Sequence, residues 1–231
     1  MLSPDQINHF NTKGYLVVED LVDQVTLSAI RGEYKVRVDD LYHDWFNQSL
    51  IDVTPEKLGF WEKLDQGYLN DLDVHQPLNL SLPHGNVGHD SPMHSGPAVF
   101  DFVRHPQLLD VVEDLIGPEI TANPIQHVGI KPHERVVRRD ELRAHVIATD
   151  WHQDKLVTLA EADETTMVTV WLAVTDANIE KGCLQVASTG PETGLLPHCC
   201  RKQIAIVDQE ELCKNAVPTL VKAGGLLFFI R

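Results

Sequence analysis

Apolar positions recur with a helical period through the first half of the chain and with shorter, strand-like spacing through the second. Ser3-Pro4-Asp5-Gln6 is a helix start: Ser3 can cap, Pro4 suits the first turn, and Gln6 sits three residues after the cap. This helix is predicted to run through Ile7 and Phe10 and to stop near Gly14, where residues 15–18 become a strand. A second cap at Asp23 opens a longer helix with a core stripe of Leu27, Ile30, Tyr34, Val38 and Leu41. Residues 54–66 predict a short helix, with Pro55 in its first turn and Leu58, Trp61 and Leu64 on one side. After His105-Pro106-Gln107, an amphipathic helix through Leu108, Val111, Val112 and Leu115 is closed by Gly117-Pro118, and its apolar side is suited to the outside of a sheet.

Beyond that helix the pattern changes. Residues 120–130 are β-rich and end before Pro132, which stops regular pairing. Residues 132–143 form a polar excursion, and 145–149 return as a strand. Residues 168–177 alternate as a buried strand, 178–182 make a polar turn, and 183–187 make another strand. Turn residues fill 188–194; 195–198 and 204–207 are extended, and 208–214 are a polar loop or helical turn. Residues 217–221 precede the Ala223-Gly224-Gly225 turn, which leads into the apolar strand 226–230. Many short strands separated by turns predict a mainly β fold with flanking helices, a sandwich or jelly roll.

With 231 residues and no low-complexity linker, the expectation is one domain over 1–231. A hydrophobic share of 43% and a charged share of 23% are ordinary for a soluble globular protein. The net charge of −15 argues against a nucleic-acid partner, which needs a basic surface. The densest basic run holds Arg135, Arg138, Arg139 and Arg143, but Glu134, Asp140 and Glu141 dilute it, so it reads as a solvated loop rather than an anion site. Cys183, Cys199, Cys200 and Cys213 lack zinc-ligand spacing and fit a reducing cytoplasm. The start of the chain has neither the basic nor the apolar stretch of a secretory signal, and 226–230 is too short to span a membrane. The histidine-rich stretch 75–97, with His84, His89 and His94, reads as a loop over a substrate rather than a ligand set.

The chemistry is concentrated in Thr149-Asp150-Trp151-His152-Gln153-Asp154-Lys155. His152 and Asp154 are two residues apart, so on extended backbone both side chains fall on one face. An imidazole nitrogen and a carboxylate oxygen so placed can share one metal ion. A further histidine would complete the two-histidine, one-carboxylate face of non-haem Fe(II) oxygenases.

The block Trp151-His152-Gln153-Asp154, the strand Val170-Trp171-Leu172-Ala173-Val174-Thr175-Asp176-Ala177 and Gly182-Cys183-Leu184-Gln185-Val186 follow one another in the order and spacing of a known family. In these residues, and at its amino terminus, the chain resembles the phytanoyl-CoA dioxygenase family of Fe(II)- and 2-oxoglutarate-dependent oxygenases. The resemblance covers nearly the whole chain. It implies a double-stranded β-helix of jelly-roll, cupin-like type with helices against one sheet. It also implies Fe(II) held by His152, Asp154 and a later histidine, with 2-oxoglutarate as co-substrate and succinate, carbon dioxide and a hydroxylated small molecule or acyl thioester as products. Trp171 is a candidate to pack on the co-substrate, Lys131 to meet a carboxylate as a point charge, and Gln126 to supply a polar group inside the barrel.

Two departures qualify the resemblance. The family's later histidine follows the strand after an Ala-Gly-Asp-like turn, and an arginine about ten residues further on anchors 2-oxoglutarate through a bidentate pair. Here the turn is Ala223-Gly224-Gly225 and the sequence stops at Arg231, ahead of both positions, so the expectation is a fragment lacking its last strands. A missing charge-assisted bond of roughly 1.5 to 3 kcal/mol weakens co-substrate binding about tenfold to well over a hundredfold. Ser188-Thr189-Gly190-Pro191 also stands where the family usually has Pro-Gly-Ser-His. His198 is the best internal substitute for the third ligand. The alternatives are an inactive jelly-roll binding or regulatory module, and a cupin-type hydrolase or isomerase using a different metal. The sequence names neither the substrate nor the oligomeric state.

Overall fold

Ser3 caps α1 (Pro4–Lys13) by reciprocal pairing, its hydroxyl accepting from the Gln6 N–H while the Gln6 side chain accepts from the Ser3 N–H. Gly14 ends the helix in the left-handed conformation (φ 78°), with its N–H donating to the Phe10 carbonyl at 2.7 Å. The chain then enters β1 (Tyr15–Val18). The carboxylate of Asp23 opens α2 (Gln24–Asn47) by accepting from the Thr26 N–H at 2.8 Å, a bond that holds its pKa below the usual carboxylate range. The helices α3 (Phe60–Leu69), α4 (Pro97–Val103) and α5 (Pro106–Ile116) follow. After them come β2 (Thr169–Leu172), β3 (Gln185–Ala187), β4 (His198–Cys200), β5 (Ile204–Ile206), the short α6 (Glu210–Lys214), β6 (Ala216–Pro218) and β7 (Leu226–Phe229). This computed structural model describes residues 1–81, 88–141, 145–158, 161, 164–188, 194–200, 204–207 and 209–230. They belong to two compact units, one of Met1–Leu27, Phe102–Thr121 and Thr149–Arg231, the other of Ser28–Asp101 and Ala122–Ala148.

The first unit is built on the antiparallel sheet β1-β7-β2. Its central strand is covered on both faces, with Leu226, Leu227 and Phe228 fully buried, and this is why the run is apolar throughout rather than alternating. Leu226 and Phe228 pack with Leu16, with Phe10 of α1 and with Leu108, Val111 and Val112 of α5. The opposite face carries Leu227, Ala173 and Val221, with Tyr15, Val17, Trp171 and Phe229 packed against them. Among the described residues, two short antiparallel pairs, β3 with β6 and β4 with β5, complete the strands of the unit. At the turn before β7, Gly224 has φ 95°, and its carbonyl accepts from the Val22 N–H at 2.9 Å. A Cβ there would lie 2.5 Å from the Val22 oxygen, so only glycine fits.

In the second unit, Ile30, Tyr34, Val38 and Leu41 are buried as the helical stripe predicts. α3 approaches closely enough at Gly67 that a Cβ would meet the Trp45 ring at 2.9 Å and Val74 at 2.7 Å. Lys63 reaches Asp39 at 2.7 Å, and Arg135 reaches Asp65 at 2.8 Å.

Three sequence expectations are corrected. The helix over 54–66 is instead a 3-10 turn at Pro55–Lys57 and the separate α3, because Gly59 is extended and donates its N–H to the Glu62 carboxylate, starting the helix afresh. Trp61 is consequently exposed. Residues 120–130 contribute only an isolated bridge between Leu80 and Gln126, since the Val128 N–H is taken by the buried Asn79 side chain rather than by a neighbouring strand. Residues 145–149 form no strand, and the Ile147 carbonyl accepts from the Lys131 ammonium at 2.6 Å. Elsewhere the strands overlap the predicted stretches but are three or four residues long, and β4 shares only His198 with the predicted 195–198.

Replacing Phe228 by alanine should cost about 3 to 5 kcal/mol in urea unfolding, the range for emptying a buried aromatic position. Gly224→Ala should cost more than about 1 kcal/mol, through left-handed strain plus the Val22 clash.

Candidate metal centre

His152 and Asp154 flank Gln153, which is extended (φ −114°, ψ 127°), and Asp154 begins a 3-10 turn, Asp154–Val157. The pair therefore sits on extended backbone but at the entrance to a turn, not within a ladder. Both side chains fall on one side as the two-residue spacing predicts, with His152 Nε2 3.3 Å from Asp154 Oδ1. The other ring nitrogen, Nδ1, lies 2.8 Å from the Asp150 carbonyl oxygen, to which it donates. That bond assigns the neutral ring's proton to Nδ1 and leaves the Nε2 lone pair facing the carboxylate. Asp154 is held in turn by Thr169 of β2, whose hydroxyl donates to Oδ2 at 2.8 Å.

An unprotonated nitrogen and an anionic oxygen aimed at each other need a positive charge between them. A proton supplies it in the metal-free protein, and the hydrogen bond to Asp154, aided by the Asp150 carbonyl and the two carboxylate charges and opposed by burial, raises the His152 pKa. A divalent cation supplies it equally well. The outer partners, a carbonyl on the free imidazole nitrogen and a hydroxyl on the free carboxylate oxygen, are those that orient metal donors. The residues present thus fit two positions of a metal site. Among the described residues, no three His, Cys, Asp or Glu side chains converge as a metal-holding group.

His198 does not supply the third position. Its Nδ1 donates to the Leu196 carbonyl at 2.6 Å, and its Nε2 accepts from the Gln153 N–H at 3.3 Å, so both nitrogens are engaged. Of the other candidates, Trp171 lies on β2 two residues after Thr169, hence on the face that reaches Asp154, and packs against Ala173, Val221 and Leu227. Lys131 and Gln126 belong to the second unit, where Lys131 donates to Ile147 and the Gln126 backbone bridges Leu80. His94 is paired with Glu33 at 2.9 Å, and His89 is exposed. His84, Arg143, Thr189, Gly190, Pro191 and Arg231 lie outside the described residues. Arg135 pairs with Asp65, and Arg138 lies near Asp71 and Asp140, in line with a solvated basic loop. Sequence reasoning passed over Thr169, although its place two residues before Trp171 on an alternating strand was a usable signal.

A histidine and a carboxylate two residues apart, held from an antiparallel strand, are donors of the kind used by mononuclear non-haem metal enzymes. Comparison with known proteins narrows this. The family model for phytanoyl-CoA dioxygenase (PhyH) matches residues 10–230, and the chain belongs to that family, a dioxygenase family with a cupin-like fold. An Arabidopsis thaliana protein described as "Phytanoyl-CoA dioxygenase" is 24% identical over 247 residues, which cover 98% of this chain and 79% of that protein. No helix of the described residues is long and apolar enough to cross a membrane.

In the metal-free protein, Asp154→Asn should lower the His152 pKa toward the free value of about 6.5, read by NMR titration of the ring protons. Because the folded-state pKa is raised, the pair contributes its stability fully below the unfolded-state pKa of about 6.5 and loses it as pH rises through the folded-state value. The asparagine variant should therefore lose most stability, relative to the parent, on the acid side of that window.

Proposed function

We propose that the chain is an Fe(II)- and 2-oxoglutarate-dependent dioxygenase domain that hydroxylates a small organic substrate or an acyl thioester in the cytoplasm, with its strands arranged as a double-stranded β-helix. The observation that carries this reading is the 3.3 Å approach of His152 Nε2 to Asp154 Oδ1, with Asp150 and Thr169 fixing the far side of each donor. Membership of the family supports the same assignment. When bound, the metal would let 2-oxoglutarate react with dioxygen, one oxygen atom entering succinate as carbon dioxide leaves and the other entering a substrate C–H bond.

The chain's own residues supply position. His152 presents a neutral nitrogen because Asp150 holds the proton on Nδ1, and Asp154 presents one oxygen because Thr169 occupies the other. Trp171, on the same face of β2, offers an apolar wall against the co-substrate and keeps water from that side.

Protein in which a third ligand completes the site should, given Fe(II) and 2-oxoglutarate, form succinate, and in it His152→Ala and Asp154→Ala should each lower the rate more than about 100-fold, beyond the 10 to 100-fold typical of outer partners. Full turnover in either variant would remove the pair from the chemistry. Tight binding of a small molecule with no succinate from the unmodified protein would favour a binding module.

A further inference from the structure

The residue between the two donors is held more tightly than either of them. Gln153 is buried, 7% exposed, on a chain segment whose neighbours His152 and Asp154 are open to solvent by 41% and 28% of their side chains. Its N–H donates to His198 Nε2 at 3.3 Å, His198 Nδ1 donates to the Leu196 carbonyl at 2.6 Å, and the Leu196 N–H donates to Gln153 Oε1 at 2.7 Å. These three bonds close a ring. The remaining amide group of Gln153 donates to the Gly194 carbonyl at 3.3 Å. Two residues earlier, the Trp151 carbonyl accepts from the Ile206 N–H of β5 at 2.8 Å, which ties the same segment to the β4–β5 pair.

We infer that Gln153 and His198 are positioning residues of the metal centre: their hydrogen-bonded ring with Leu196 locks the peptide between His152 and Asp154 in the extended conformation that aims both donors at one ion. The inference rests on the metal-centre reading above. The geometry requires something of this kind, because rotation about the Gln153 backbone dihedrals would swing His152 away from Asp154, and no ladder holds this segment. A leucine of similar bulk would fill the space under residue 153 but could not engage Leu196 and Gly194. His198 is suited to the ring because it accepts on one nitrogen and donates on the other. In this role it touches neither metal nor substrate.

The test compares Gln153→Leu, His198→Leu, His198→Gln and, as a control just past the end of β5, Val207→Ala, whose exposed side chain lies outside the ring. The probe is Co(II) alone, its dissociation constant read from its ligand-field absorption, together with amide hydrogen exchange at residue 153 in the metal-free proteins. Gln153→Leu and His198→Leu should weaken Co(II) binding about 10 to 100-fold, the effect of losing an outer partner. In His198→Leu the residue 153 amide should exchange faster. His198→Gln, which can place an oxygen near the lost nitrogen, should restore most of both properties, and Val207→Ala should match the parent. Rescue by glutamine separates an acceptor role from simple support of the fold. Folded leucine variants that bind Co(II) within twofold of the parent, or a His198→Gln protein as impaired as His198→Leu, would overturn the positioning role. If His198→Leu fails to fold, Gln153→Leu and His198→Gln still decide it. A parent protein that binds no Co(II) would instead overturn the metal-centre reading itself.

Discussion

Both edges of the first unit's main sheet hang on one strand. β7 pairs with β1 at Tyr15↔Phe229 and with β2 at Thr169↔Phe229, so it joins the start, middle and end of the chain. Bringing such distant segments together costs loop-closure entropy, a cost that grows only slowly with separation. Complete burial of Leu226, Leu227 and Phe228 offsets it. The helices on one face and the Leu227 cluster on the other are consequences of that burial. So is the site, because β2 is fixed in register by β7 and β2 carries the Thr169 hydroxyl that holds Asp154.

The donor pair shows how a proton and a metal compete for the same arrangement. The feature that raises the His152 pKa, an imidazole nitrogen 3.3 Å from a carboxylate oxygen, also makes a divalent cation welcome. Metal affinity at such a site must fall as pH drops, since the incoming ion has to displace the proton. Thr169 and the Asp150 carbonyl oppose the alternative outcome, in which each donor rotates away to solvent. They make the pair an oriented unit rather than an incidental ion pair on the surface, which would contribute little.

Signals that act over a few residues were legible in the sequence. The Ser3–Gln6 cap, the Asp23 cap, the stripe on α2 and the apolar face of α5 each depend on neighbours within a turn or two, and each forms as read. The same holds for His152 and Asp154, whose common side follows from backbone alternation alone. What failed depended on where a single backbone group finds its partner. The Val128 N–H goes to Asn79 and the Ile147 carbonyl to Lys131, and with those bonds made elsewhere the two stretches lose ladder partners that their composition suits. Gly59 broke a periodic run because its N–H prefers Glu62. Such choices are tertiary, and no pattern of apolar positions encodes them.

His198 illustrates the distinction between a residue type and a role. As a histidine on a strand after the donor pair, it is a natural candidate for the third ligand. To ligate a metal through Nε2 it would have to release the Gln153 N–H, leaving a buried donor unsatisfied at a cost of about 1 to 3 kcal/mol. To ligate through Nδ1 it would have to give up the 2.6 Å bond to Leu196 and open the ring from its other side. Either route would loosen the peptide between the two donors already in place. The ring and a ligating His198 are therefore mutually exclusive uses of one imidazole, and the bonds it makes commit it to holding the site rather than joining it.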